Sequence, residues 1–331
     1  MTSRSFRGDI TGGIAGGIVT IPSSIGYGVL ALGSLGDAFV APAILAGLYS
    51  AVVVSLIVIL LGERTATAFA PRSIITVLFA AIVLDTVAPA TRQDPANIDR
   101  TLALVVMIVL AAGLFPALFG LLRVGHGIRY IPSPVMAGFQ NAVAILLLLA
   151  QLKSLVGPRQ PLTFAVGLVT MLVIWHGRRF IPLVPAPIAG LAAGTAVYHG
   201  LVLIGLGGHL GPVLGSIPAV TPSLGPIATI PTLVRDTYVG THWLSFLGAS
   251  VSLALVASLD ALLCAKTVEG LTGHRTPASP QLARIGLGNI AAGLAGAIPA
   301  GVNLSATFAL HRAGGRTVVA ALTCALFILA A

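Results

Sequence analysis

TATAFAPRSIITVLFAAIVL, residues 65–84, decides the fold because it places an arginine, Arg72, inside a segment apolar enough to cross a bilayer. A guanidinium at membrane depth costs from about 2.5 to more than 10 kcal/mol, so it normally faces a counter-ion, a substrate or a cavity. Pro71 has no backbone N–H and disfavours helical geometry at Ala70. We therefore predict extended backbone up to Pro71 and a helix that begins within two residues of Arg72.

The first backbone N–H groups of that helix belong to Arg72, Ser73 and Ile74, and such groups have no partner within their own helix. A helix N-terminus attracts anions, and a cationic side chain beside it strengthens the attraction. Irregular backbone at membrane depth must also line a cavity or be buried in protein. The three residues are therefore predicted to bind a small anion.

The composition is that of an all-α polytopic membrane protein. Of the 331 residues, 56% are hydrophobic and 8% are charged, and the mean hydropathy of +1.02 excludes an ordinary soluble domain. The formal net charge is +9, but the basic residues are scattered singly over predicted loops, which argues against nucleic acid as a partner. The cysteines, Cys264 and Cys324, lack CxxC spacing and indicate neither a metal site nor a disulfide framework.

Apolar runs of roughly 20 residues predict about eleven membrane segments. We place them near residues 10–33, 38–61, 68–86, 101–122, 132–152, 161–177, 186–206, 243–265, 282–298, 303–313 and 316–331. The first is predicted to be interrupted around Pro22, and half-helices are predicted after Pro71 and Pro299. Lys and Arg concentrate in the loops on the side of the N-terminus, which predicts a cytoplasmic N-terminus in the inner (plasma) membrane of the cell.

Asp260 lies in the middle of a predicted segment, in ASLDALLCAK. Apart from histidines, Asp260 and Arg72 are the ionisable residues predicted at membrane depth. One hypothesis is a structural ion pair that neutralises both. The other is a shared polar site in which Arg72 holds an anion and Asp260 serves a coupling cation or proton. The two hypotheses are compatible.

A second break, at Pro299, precedes Asn303, Leu304, Ser305 and Thr307. We predict that the helix after it points its N-terminus at the helix after Pro71. Asn303, Leu304 and Ser305 would then line the opposite wall of the anion site. Thr307 is assigned with Asp260 to the coupling ion, although Thr in membrane helices commonly bonds to the preceding turn.

Catalytic patterns such as HExxH, a P-loop or GxSxG do not occur in a plausible context. The seven histidines fall mostly at predicted segment ends, at unrelated spacings. We therefore expect no enzyme activity, no bound metal and no cofactor other than Na+ or H+ as coupling ion.

Three passages resemble the sulfate permease (SulP) family of anion transporters, which includes bicarbonate transporters. They are GDITGGIAGGIVTIPSSIGYGVLAL at 8–32, RYIPSPVMAGFQNAVAILLLLAQLKSLVG at 129–157, and SLDALLCAKTVEGLTGHRTPASPQLARIGLGNIAAGLAGAIPAGVNLSAT at 258–307. The resemblance implies fourteen segments in two inverted seven-segment repeats, with the anion between the half-helices of the third and tenth segments. It also implies a core domain that moves against a gate domain and, usually, a C-terminal STAS domain.

On that basis residues 1–331 form a transport domain, with a first repeat over about 8–206 and a partial second repeat over about 231–331. We expect the remaining segments, and any STAS domain, to belong to a longer chain. Many relatives carry an Arg shortly before a Thr in the tenth segment, where this chain has Ala306 before Thr307. The positive charge stands instead at Arg72, where relatives commonly have a small or apolar residue.

Asp260 resembles the acid of the sodium-coupled bicarbonate members, but Cys264 replaces the hydroxyl residue expected one turn later. That replacement argues against sodium coupling and favours proton coupling. The leading hypothesis is a secondary active transporter of a small inorganic anion, of the sulfate or bicarbonate class. The alternatives are an anion channel of the same fold and a nucleobase or carboxylate permease. The expected partners are the small anion, the lipid bilayer and a second copy in a homodimer.

Overall fold

The computed structural model describes residues 3–94, 97–123, 161–180, 186–211, 225–233, 237–273 and 276–331, with isolated helical positions between 134 and 152. Within those ranges the helices are α1 (Ser3–Leu32), α2 (Val40–Leu60), α3 (Ser73–Ile82), α4 (Ala88–Gln93), α5 (Ile98–Leu121), α6 (Pro161–Phe180), α7 (Ala186–Leu203), α8 (Gly225–Leu233), α9 (Thr237–Thr272), α10 (Ala278–Leu294), α11 (Leu304–Arg312) and α12 (Val318–Ala330). Two short strands are present, β1 (Phe69–Ala70) and β2 (Gly301–Val302). The predicted segment at 132–152 lies largely outside the described residues.

Several of these helices are long and apolar enough to cross a membrane. In the described part of the chain five stretches reach that length, namely Phe6–Leu35, Asp37–Leu60, Ser73–Gln93, Ile98–Leu121 and Thr237–Thr272. The third combines α3, a π-helical turn and α4. Leu162–Gly177, Ile188–Leu203 and Val318–Ala330 are shorter apolar helices. The chain is therefore a multi-pass membrane protein.

The chain folds as two units, and α6 and α7 belong to the smaller one, residues 141–217. These two helices pack where Gly194 of α7 leaves room for the side chain of Thr170 of α6. The N–H of Gly211 donates to the Thr163 hydroxyl at 2.7 Å, and the Tyr198 hydroxyl donates to the Gly211 carbonyl at 3.2 Å. The larger unit contains all the other helices and both strands.

The predicted interruption of the first segment is wrong, because α1 runs unbroken through Pro22. Proline removes one backbone donor, but hydroxyl side chains and neighbouring helices can satisfy the groups that it frees in a membrane helix. The Ser23 hydroxyl hydrogen-bonds to the carbonyls of Val19 and Thr20, at 3.1 and 2.9 Å. Packing of α1 against α2, α11 and α12 supports the rest of its length.

Glycines bring the backbones of the larger unit into direct contact. A Cβ on Gly28 of α1 would overlap the carbonyl of Ala43 of α2, and one on Gly47 would overlap the carbonyl of Ser24. The pair α5 and α10 packs in the same way, since a Cβ on Gly113 would lie 2.9 Å from the Gly286 carbonyl oxygen. Helices in a bilayer have no hydrophobic force between them and associate through such close contacts.

The strands β1 and β2 form a two-residue antiparallel ladder, with Phe69 opposite Val302 and Ala70 opposite Gly301. We call this ladder, with the cap residues Arg72 and Asn303 that follow its two strands, the crossover. Each strand stands just before the start of a helix, α3 or α11, so the chain is extended where the two predicted breaks were placed. Apart from the partly exposed Arg72, the crossover is buried in the larger unit.

Side chains from neighbouring helices satisfy the extended backbone before β2. α10 ends at Leu294, earlier than the predicted end at 298, because Gly296 takes a left-handed conformation with φ of 72°. The buried Asn289 side chain then holds Ala300 at both ends: it accepts from the Ala300 N–H at 2.8 Å and donates to the Ala300 carbonyl at 3.0 Å. Backbone polar groups at membrane depth need such partners, since no water replaces them.

We predict that Gly28→Ala prevents stable folding, because the added methyl group overlaps the α2 backbone and neither helix can move aside without losing its other contacts. Gly26→Ala is the matched control on the same helix, since a Cβ there meets nothing within 4 Å. The measurement is the yield of monodisperse protein in detergent and its melting temperature. Equal yields and melting temperatures for the two variants would contradict the packing described here.

Candidate functional site

The helix α3 begins where the sequence predicted. Arg72 has extended backbone, φ −122° and ψ 145°, and α3 starts at Ser73. Within the described residues no side chain caps this helix start. The N–H groups of Ser73 and Ile74 therefore keep the unpaired geometry that binds anions.

The facing helix start is capped by its own first residue. Asn303 is extended, α11 begins at Leu304, and the Asn303 side chain accepts from the N–H of Ala306 at 3.1 Å. The antiparallel ladder brings both helix N-termini to the crossover from its opposite ends.

The predicted helix starts after Pro71 and Pro299 are both confirmed. α11 is short, whereas α3 continues through a π-helical turn into α4, over a stretch, Ser73–Gln93, that is long enough to cross a membrane. The two starts also differ, because the Asn303 side chain binds one N–H group of α11 and no side chain caps α3.

The intramembrane charges meet at the crossover. Arg72 Nη2 lies 2.8 Å from Asp260 Oδ1, and Arg72 Nη1 donates to the Val302 carbonyl at 3.3 Å. The Asp260 side chain is 0% exposed and that of Arg72 is 14% exposed. The hypothesis of an ion pair between Arg72 and Asp260 is confirmed. The guanidinium thereby joins α3, α9 and β2.

Hydrogen-bonding capacity remains around this pair. In the described part of the chain, Arg72 Nε and Asp260 Oδ2 are buried atoms without a hydrogen-bond partner. Elsewhere on α1 and α3, the hydroxyls of Ser24 and Thr76 are also buried without a partner. Buried polar atoms usually have partners, so unpaired atoms near a functional site suggest a ligand that the protein alone does not supply.

Tyr27 is a residue that sequence reasoning missed. Its side chain on α1 lies close to the Ser73 side chain and to the Arg72 charge. The polar stretch IPSSIGY in α1 carries Ser24 and Tyr27 together and was read only as a helix break. Its alternation of hydroxyl and small side chains within a membrane segment was the available signal.

The side chains of three other predicted site residues lie in different surroundings. Ile74 is buried in the core, Leu304 packs against apolar side chains, and the Ser305 side chain is exposed. None of these three side chains is shown to contact an anion, so their assignment to the anion site stays a prediction that concerns their N–H groups.

Thr307 connects the two halves of the crossover. Its hydroxyl donates to the Asn303 carbonyl at 2.7 Å and accepts from the Ala68 N–H at 3.1 Å. Cys264, one turn after Asp260, has its sulfur 3.8 Å from Asp260 Oδ1. The geometry gives Thr307 a structural role, and its assignment to a coupling ion stays a prediction.

Comparison with known proteins places this arrangement in a family. The family model described as the sulfate permease family matches residues 6–173 and 158–331. The bicarbonate transporter BicA of Picosynechococcus sp. is 26% identical over 98% of this chain and 57% of its own length. The putative sulfate transporter YbaR of Bacillus subtilis is 23% identical over 98% of this chain and 61% of its own length. The chain thus spans less than two thirds of these relatives.

Solved structures share the fold. The transmembrane domain of a cyanobacterial bicarbonate transporter BicA superposes with a TM-score of 0.78 at 24% identity, over 100% of this chain and 82% of that chain. The structure of SLC26A9 superposes with a TM-score of 0.73 at 17% identity, over 98% of this chain and 53% of that chain. With the family match over nearly all its residues, the chain belongs to the sulfate permease family and has that family's inverted-repeat membrane fold.

Proposed function

We propose that this protein is a secondary active transporter of a small inorganic anion, of the sulfate or bicarbonate class. The observation that carries the proposal is the uncapped N-terminus of α3, which lies inside the membrane unit beside Arg72. Relatives named as bicarbonate and sulfate transporters support the same substrate class. We further propose a location in the inner (plasma) membrane with a cytoplasmic N-terminus.

The anion would bind to backbone N–H groups. Those of Ser73 and Ile74 are free of helix partners, and α11 directs a second helix N-terminus at the crossover. Each helix N-terminus carries roughly half an elementary positive charge. The ion pair of Arg72 with Asp260 is neutral overall, so the attraction for an anion comes chiefly from the two helix ends. Backbone N–H groups can donate hydrogen bonds to any small oxyanion. The proposal therefore names a class of anions and not one substrate.

The ion pair also bears on the alternative functions. A nucleobase permease requires a carboxylate that hydrogen-bonds a base, whereas the Asp260 carboxylate is neutralised by its ion pair with Arg72. A site built on helix N-termini favours anions. Coupling to Na+ or H+, the role of Thr307 in it, and a homodimer stay predictions.

The experiment is uptake by proteoliposomes that contain the purified protein, with labelled sulfate and labelled bicarbonate offered separately. A transporter accumulates the labelled anion against its gradient when the vesicles are preloaded with unlabelled anion. Dissipation of the gradient without accumulation, at a rate that does not saturate, would instead identify an anion channel. Failure to move either anion would remove the proposal.

We predict that Ser73→Pro raises the KM for the anion by roughly tenfold or more, because it deletes one N–H donor to a charged ligand. Proline suits the first position of a helix, and the extended backbone of Arg72 suits a following proline, so α3 should remain folded. Ser73→Ala is the control: it removes the hydroxyl and keeps the N–H. A larger rise in KM for the alanine variant would assign binding to the side chain instead.

A second prediction separates anion binding from the structural role of Arg72. Arg72→Ala leaves the buried Asp260 carboxylate without its partner and should destabilise the protein by about 3 to 5 kcal/mol. Arg72→Ala combined with Asp260→Asn should restore the melting temperature. Transport by the double variant then separates the two roles. A near-normal KM shows that the guanidinium is structural. Folded protein without uptake shows that the guanidinium contacts the anion.

A further inference from the structure

The oxygen atoms around the Arg72 guanidinium form a set suited to a small cation. Asp260 contributes Oδ1 at 2.8 Å and an unpaired Oδ2, and Val302 contributes a backbone carbonyl at 3.3 Å. Carboxylate and carbonyl oxygens are the ligands of hard cations. In transporters with broken helices, the carbonyls of unwound backbone are what coordinate Na+.

The acceptors and the guanidinium come from different elements. Asp260 lies on α9 and Val302 on β2, and these elements contact each other directly. A Cβ built on Gly301 of β2 would stand 3.7 Å from Asp260 Oδ2, which shows how near the strand lies to the carboxylate. Arg72 reaches in from the start of α3. The carboxylate and the carbonyl would therefore remain together without the guanidinium.

The charge balance allows one cation at this place. Asp260 is 0% exposed and carries at most one negative charge. Arginine does not deprotonate in proteins, so the guanidinium already neutralises that charge. A Na+ beside it would be a second buried cation without a counter-charge, which is costly inside a membrane protein. The residues present therefore do not fit a bound Na+.

We propose that Arg72 is a tethered cation that occupies a latent monovalent-cation site formed by Asp260 and Val302. Transport by this protein then needs no Na+, and removal of the guanidinium exposes a site that takes one. The statement that transport needs no Na+ rests on the proposed function. The statement that removal of the guanidinium exposes a cation site does not. The Asp260 carboxylate on α9 and the Val302 carbonyl on β2 thus account for an arginine at the start of α3.

The test measures cation binding directly through thermal stability of the purified chain in detergent. Melting temperatures are recorded in NaCl, LiCl, KCl and choline chloride at constant chloride concentration and ionic strength. The variants are Arg72→Ala, Arg72→Lys, and Arg72→Ala combined with Asp260→Asn. Arg312→Ala is the control for the loss of one positive charge, because Arg312 is an exposed arginine on α11.

The wild type and Arg312→Ala should melt at the same temperature in Na+ and in choline. Arg72→Ala should melt a few degrees higher in Na+ or Li+ than in choline, with a shift that grows with the logarithm of cation concentration. The double variant should lose this dependence, because it lacks the carboxylate. Arg72→Lys should also lack it, since the ammonium restores a tethered charge. Accumulation of folded Arg72→Ala only in cells grown with Na+ would show the same dependence of its stability on Na+.

Two results would overturn the inference. One is a stabilisation of the wild type by Na+ as large as that of Arg72→Ala. The other is a melting temperature of Arg72→Ala that is the same in all four salts. Uptake by wild-type proteoliposomes, in Na+ and in choline, gives an independent measurement: equal rates are expected, and Na+-dependent uptake would contradict the inference while leaving anion transport intact. Absence of uptake in both salts would count against the proposed function alone, since the melting experiment does not require transport.

Discussion

The Asp260 carboxylate has no access to solvent and lies in a helix long and apolar enough to cross a membrane, so its charge must be neutralised by another group. Arg72 supplies that group from a different helix, and in doing so fixes the start of α3 against α9 and the strand β2. An arginine in a membrane segment is equally costly alone. The neutralisation of both charges, and the position of the start of α3 relative to α9 and β2, therefore depend on one contact.

The extended backbone of the crossover imposes the second requirement. Two membrane segments break at prolines, and each break frees N–H and C=O groups that have no water to bind. Four local interactions provide hydrogen-bond partners for these backbone groups: the two-residue ladder, the double contact of Asn289 with Ala300, the Asn303 cap and the Thr307 hydroxyl. Of the two helix starts at the crossover, that of α3 has no side-chain cap.

Close helix packing makes room for this arrangement. Glycines let α1 approach α2, and α5 approach α10, until backbone meets backbone. Contacts of this kind replace the hydrophobic force that is absent between helices in a lipid environment. The rigid surroundings hold the crossover in place, so that a neutral ion pair and two helix ends can face each other in a fixed geometry.

The sequence by itself determined the membrane class, the two breaks and the residue at which α3 begins, because each rests on local chemistry: apolar length, and the missing N–H of a proline. The family resemblance likewise rested on the order of motifs along the chain. The tertiary structure alone decided the rest. Pro22 does not interrupt α1, because the side chain of Ser23 and the packed neighbours compensate for it.

The nature of the Arg72 site was likewise not readable from the chain. The sequence left an ion pair and an anion contact both open, since the partners stand 188 positions apart. Tyr27 and the Val302 carbonyl join that site only through the approach of α1 and β2. Interactions between elements distant in sequence depend on how helices pack, and packing is a property of the whole fold, whereas a proline acts on its own neighbours wherever it occurs.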